Sequence, residues 1–218
     1  MGSIARSAAN LITTSGVVLK GAVNNDSFDN VTALPSAAAV DGITFISSQT
    51  ASNSASISFT SGLTSTYKAY KFVFVNIKPI DNNIFFRMNG STNSGSSYGV
   101  TSTTTFFRAY HNEAGTATGL EYFTNADLAQ STSAIPIATE TSNTSDNSIS
   151  GSLLLFNPSS TTYVKHFIVR NNNIYNNEYL MDNLVAGYFN TTSAINAVQF
   201  TFATGNISDG KIYLYGIK

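Results

Sequence analysis

Two imidazoles, twelve carboxylates and no thiol bound the chemistry open to this 218-residue chain. His111 stands beside Glu113 in a turn-like segment, and His166 sits in the strand-like run 163–169. A zinc site needs three or four nitrogen, oxygen or sulfur ligands. Two separated histidines among sparse acids do not supply them, so no metal and no cofactor is expected. Glycoside hydrolysis needs two carboxyl groups flanking a cleft. Glu113, Glu121, Glu140, Glu178, Asp127 and Asp182 are available, but none lies in a recognisable motif. A nucleophile elbow, a phosphate-binding loop and an HExxH helix are all missing from the sequence. The expectation is a protein with no catalytic residue.

Recognition is the chemistry that remains. Tyr98, Phe106, Phe107 and Tyr110 surround a Gly/Ser-rich stretch at 89–99, and Tyr175, Tyr179 and Tyr188 surround the asparagine run 171–177. Tyrosine gives contact area at low entropic cost, and amides bond hydroxyl groups. The combination suits a sugar-facing surface, with Tyr98, His111, Asn112, Asn172, Tyr175 and Asn176 as the residues to watch. Loops 89–99, 111–119 and 171–177 are expected to face outward. The same rings also suit a sandwich core or a subunit interface, since burial is the default for aromatic side chains.

The elements that must position these residues read as β-strands. Charged residues make up 11% of the chain, less than half the usual quarter or so. Fifteen Phe and eleven Tyr can build a core. A net charge of −1, with the basic residues scattered singly, disfavours nucleic acid. No run of about 18 apolar residues marks a membrane span. From residue 40 onward, short alternating segments are punctuated by turn signals. Residues 54–60 alternate cleanly, and 67–78 is apolar on both faces, which predicts a central strand covered on both sides. Further strands are expected at 43–48, 83–89, 100–110, 148–156, 161–169, 179–189, 195–203 and 210–218. Gly187 allows a bend or bulge in its strand. Residues 125–148 read as a long polar connection with one helical turn at 126–130. The sum is an all-β antiparallel sandwich of jelly-roll type, one domain spanning 39–218.

Residues 1–38 differ. Ile4, Leu11 and Ile12 recur at helical spacing, Val17, Val18 and Leu19 form a short apolar run, and Val31 and Leu34 precede Pro35. The segment is too small to bury these side chains by itself. It reads as an extended or partly helical arm that packs on a neighbour.

Three stretches carry a resemblance. The ending, 195–200 followed by 205–218 with its Leu214-Tyr215-Gly216-Ile217-Lys218 close, resembles the closing hairpin of small tailed-bacteriophage virion proteins. The opening of the β domain is similar to theirs: 43–50, the Ser/Ala-rich 51–60, then 67–74. So is the leader at 30–35. Residues 90–148 carry no such likeness. The resemblance implies a structural protein of the virion, a small tail fibre or tail-associated protein contacting the host surface. A capsid-decoration protein is the alternative, and a glycan hydrolase the third reading. It also implies a homo-oligomer, with a trimer expected, docked to other virion proteins through residues 1–38, and a host-surface glycan as partner. No catalytic residue comes with it.

Overall fold

A computed structural model describes residues 42–175 and 178–218. The expected arm positions Ile4, Leu11, Ile12, Val17, Val18, Leu19, Val31 and Leu34, and Asn176, one of the residues expected in recognition, lie outside the described residues. Thirteen strands run in chain order. The first four are β1 (Ile43–Thr50), β2 (Ile57–Phe59), β3 (Ala69–Pro79) and β4 (Ile84–Ser91). Then come β5 (Ser102–Asn112), β6 (Thr118–Tyr122), β7 (Leu128–Ser131), β8 (Ile135–Thr141) and β9 (Ile149–Phe156). The last are β10 (Lys165–Tyr175), β11 (Tyr179–Phe189), β12 (Ala197–Phe202) and β13 (Ile207–Ile217). No helix occurs among the described residues, so none is long and apolar enough to cross a membrane.

The strands form two antiparallel sheets. The larger has nine strands in the order β1-β13-β3-β9-β10-β11-β5-β6, with β7 also on β5. The smaller runs β2-β12-β4-β8. Set aside β5 to β7 and the β10–β11 hairpin, and eight strands remain. Renumbered one to eight, they read 1-8-3-6 over 2-7-4-5, the two interlocked Greek keys of a jelly roll. The five added strands all extend the larger sheet beyond β9. They carry it past β8, the edge of the smaller sheet.

Alternation places the core. Tyr70, Phe72 and Phe74 of β3 point inward with Leu153, Leu155, Phe167, Val169, Ile212 and Leu214. From the smaller sheet, Phe59, Phe86, Met88 and Phe200 meet them. The ring of Phe200 lies within 5.2–6.4 Å of Phe59, Phe72, Phe74 and Phe86. Three of these contacts are edge-to-face and the one with Phe86 is stacked, and such ring contacts add to the area that burial removes from water.

Several sequence expectations need correction. The second face of β3 is open, not covered: Val75 is exposed, and Lys71 and Val73 are half-buried. Asn76 is left-handed (φ 53°) and shifts the register there, so Ile77 turns back inward. The strand expected at 54–60 is only three residues long, and Ala55 is exposed. The expected helical turn at 126–130 is a turn followed by β7, with Gln130 at φ 47°. The polar connection also hides β8, most of which is buried. At Gly187 the ladder runs unbroken. Its hydrogen is needed instead for close packing, because a Cβ there would stand 2.7 Å from the Phe167 ring and the Thr103 carbonyl.

Phe200→Ala should cost about 3–5 kcal/mol, because four rings lose their common partner. Urea unfolding should show the midpoint falling with the slope unchanged.

Candidate functional site, a tyrosine-lined cleft

The inner face of the larger sheet changes character along its added strands. One cross-strand row is apolar: Phe106, Val185, Val169, Leu153 and Phe72. The next is Glu121, Arg108, Asn183 and Asn171. Beyond it stand Tyr110, Met181 and Asn173, and then Tyr179 and Tyr175. β8 crosses these rows as the last strand of the smaller sheet. Between them lies a cleft of about 290 Å³ lined by Arg108, Tyr110, Glu121, Glu140, Tyr175, Tyr179 and Met181.

Its floor is a polar ladder. Asn171 Nδ2 donates to the Ile137 carbonyl at 2.7 Å, and Asn173 Nδ2 to the Thr139 carbonyl at 3.0 Å. Asn183 Nδ2 donates to Asn171 Oδ1 and Asn173 Oδ1 at 3.0 and 2.8 Å. All three asparagines are buried. β8 pairs with β4 on one side only, so these amides satisfy carbonyls that an edge strand would leave bare.

Arg108 stands above the ladder. Its Nε donates to Glu121 and its Nη1 to Glu140, both at 2.5 Å, and its guanidinium lies 3.7 Å over the Phe123 ring. Nη1 also reaches Thr139 Oγ1 at 3.4 Å. Glu140 gets there through a bulge: it is left-handed (φ 52°), and β8 gains a residue against β4 at this point. Bulges re-aim side chains in this way. Both carboxylates keep a solvent-facing side, with Glu121 41% and Glu140 27% exposed in their side chains.

The wall is aromatic. Tyr110 and Tyr179 have centroids 6.1 Å apart, Tyr175 and Tyr179 6.2 Å, each pair tilted by 56°. All three are half-buried. Tyr110 lies on Gly119, where a Cβ would come within 2.5 Å of its ring. The cleft thus offers ring faces, one guanidinium and two carboxylates, with a surplus of one negative charge.

The residues marked in the sequence separate. Tyr175 lines the cleft. The 171–177 stretch is not a loop up to that point: 171–175 belongs to β10, Asn171 and Asn173 are buried, and Asn172 is exposed on the opposite face. Asn112 is buried and holds the β5–β6 turn, its Oδ1 accepting from the Thr116 and Ala117 amides and its Nδ2 donating to Thr116 Oγ1. His111 is exposed on the outer face, with Nδ1 2.7 Å from the Asn112 carbonyl. His166 faces the same way, its ring 5.9 Å from that of Tyr188. Tyr98 lies in a different loop, with its hydroxyl buried and unpaired. That loop begins only after Ser91, which is buried at the end of β4. Of the acids, Glu121 and Glu140 reach the cleft, Asp182 pairs with Arg170, and Asp127 accepts from the Tyr122 hydroxyl.

Arg108 was missed in the sequence. Its signal is legible afterwards, as a charged residue on the inward side of the alternation Thr104, Phe106, Arg108, Tyr110. At the other end of β10, Lys165 is fully buried and donates to the Tyr163 and Thr191 carbonyls at 2.7 and 3.0 Å. Burial pulls its pKa below the usual lysine value. Both bonds tie it to backbone, as a strut rather than a nucleophile. No cluster of three or more metal-ligating side chains occurs among the described residues.

Comparison of the chain with protein-family models, curated proteins and solved structures returns no match.

The ladder makes a sharp prediction. Asn183→Ala removes the donor to two buried oxygens, each costing about 1–3 kcal/mol when unpaired. Asn172→Ala, on the exposed face of the neighbouring strand, should stay within about 0.5 kcal/mol. Paired urea titrations should separate the two variants cleanly.

Proposed function

We propose that this chain is a structural protein of a bacteriophage particle that contacts the host surface, and that its tyrosine-lined cleft holds a cell-surface glycan. The observation that carries the reading is the convergence of Tyr110, Tyr175 and Tyr179 over the Arg108 clamp. Ring faces stack on the C–H faces of a sugar, the carboxylates accept from its hydroxyls, and the guanidinium edge fixes their direction. The clamp is pre-organised, so little ordering is needed on binding. The virion assignment draws on the resemblance of the opening and closing strands. In it, residues 1–38 attach the domain to other virion proteins.

Binding without turnover is the activity this arrangement suits. A glycosidase pair needs open space between its two carboxyl groups for the scissile bond and, in inverting enzymes, a water. Here Arg108 bridges Glu121 and Glu140. No cofactor, metal or nucleic acid has a part in the reading.

The test is titration calorimetry of the full chain against purified host-surface polysaccharide. Tyr175→Ala and Tyr179→Ala should each weaken binding at least about tenfold, the size of a truncated aromatic anchor. Tyr163→Ala, an exposed ring outside the cleft, should leave it unchanged. Equal loss in all three, or saccharide cleavage that survives, would overturn the reading. Antibody labelling of intact virions places the protein: label at the tail supports host contact, and label over the head favours capsid decoration.

A further inference from the structure

Among the described residues the larger sheet packs its inner face on the smaller sheet and leaves the other face uncovered. On the added strands that face carries an apolar band beside polar residues such as His111, Asn172 and Arg170. Tyr122, Phe107 and Leu184 are cross-strand neighbours in one row. Ala186, Ile168 and Leu154 are neighbours in another. Leu184 and Ile168 are each 46% exposed, Phe107 is 42% and Leu120 79%. A hollow of about 370 Å³ lies over Thr105 and Ala186, flanked by Phe156, His166 and Tyr188. Monomeric proteins seldom show a contiguous apolar patch beyond a few hundred Å².

We infer that this face is buried against the same face of a second copy of the chain, in a two-fold pair. Area is the first argument. The face spans five strands, β9 to β6 in sheet order, and three of them are eleven residues long. At about 4.8 Å per strand and 3.3 Å per residue the strand lengths give roughly 730 Å², close to the about 800 Å² per partner of a standard stable interface.

Charge is the second. Arg170 and Asp182 stand among these residues and pair with each other, Nη2 to Oδ2 at 2.9 Å and Nε to Oδ1 at 3.3 Å. Each copy therefore brings a neutral centre, and no unpaired ion is desolvated when like meets like. Lys71 and Lys211, lysines of the same face, sit on β3 and β13, outside these five strands. There the ammonium groups stay in water at the rim. A strongly charged partner would find no opposing field at the centre of this surface, whereas an identical copy needs none. Relief is the third argument: the hollow over Ala186 adjoins protruding Ile168 and Leu184, so the face carries both a recess and side chains to fill one. The contact is isologous, which closes the assembly at that surface.

Sedimentation equilibrium of the full chain at micromolar concentration tests this. The parent should show an even number of chains, and Ile168→Glu and Leu184→Arg should each halve that mass. Both positions are exposed, so circular dichroism and thermal midpoint should match the parent. The sequence has no cysteine, so Leu184→Cys carrying a spin label adds a second readout: one narrow intermolecular distance is expected. A monomeric parent, a mass of three chains, a mass unchanged in both variants, or a label that reports no intermolecular distance would each overturn the pairing. In the first case, capture of the chain by another virion protein through this face would identify the true occupant.

Discussion

Three buried amides decide how the two sheets meet at their growing edge. Asn171, Asn173 and Asn183 sit where the inner face of the larger sheet passes β8: Asn171 and Asn173 supply hydrogen bonds that β8 cannot find within its own sheet, and Asn183 holds those two amides in place. Hydrophobic burial has no direction, and the phenylalanine core would tolerate some sliding of one sheet over the other. The amide ladder does not, because Asn171 and Asn173 must each reach one carbonyl of β8. With β8 fixed, the bulge at Glu140 is fixed, and with it one of the two carboxylates that hold Arg108. The clamp and the tyrosine wall therefore inherit their geometry from a polar network lying beneath them. A satisfied network of this type favours one arrangement over its neighbours more than it adds to overall stability.

The architecture separates the scaffold from the candidate site. Eight strands make a jelly roll with a phenylalanine-rich interior. The five added strands extend one sheet and carry nearly everything of chemical interest: Arg108, Glu121 and the three tyrosines on the inner side, and the apolar patch on the outer. Of the charged and tyrosine side chains of the cleft, only Glu140 comes from the eight-strand frame. A sheet can grow at an edge without disturbing the core it already covers, since each new strand asks only for backbone pairing with the last. Function placed on such an extension is free to vary while the frame is kept.

The strands were legible wherever one face is apolar and the other polar. Phe86 and Met88 in β4, Tyr70, Phe72 and Phe74 in β3, and the whole extent of β11 follow directly from alternation. Where polar residues face inward, the same rule fails. Asn171 and Asn173 read as loop because asparagine favours turns, yet they occupy inward positions of β10. β8 was hidden among serines and threonines, though Ile135, Ile137 and Ala138 are buried. Single left-handed residues such as Asn76 and Glu140 redirect side chains without leaving a periodic trace. The cleft was half visible, since its tyrosines and glutamates were all candidates. Their convergence depends on strand register, which no local pattern encodes.

The position of β13 has a consequence for how the chain is made. This strand lies between β1 and β3, pairing Ile43 with Ile217 and Ala69 with Ile217. Its neighbours in the sheet are synthesised more than a hundred residues earlier. Until it arrives, β1 and β3 have no partner on their facing edges, and the inner surface of β3 lacks Ile212 and Leu214. The growing chain must hold two open strand edges while more than a hundred further residues are made, at elongation rates of about 5–20 residues per second. Pairing across such sequence separations also makes for slow folding. The frame that gives this domain its core is thus completed only after the added strands have been made, and the chain is most prone to pairing with its neighbours before β13 arrives.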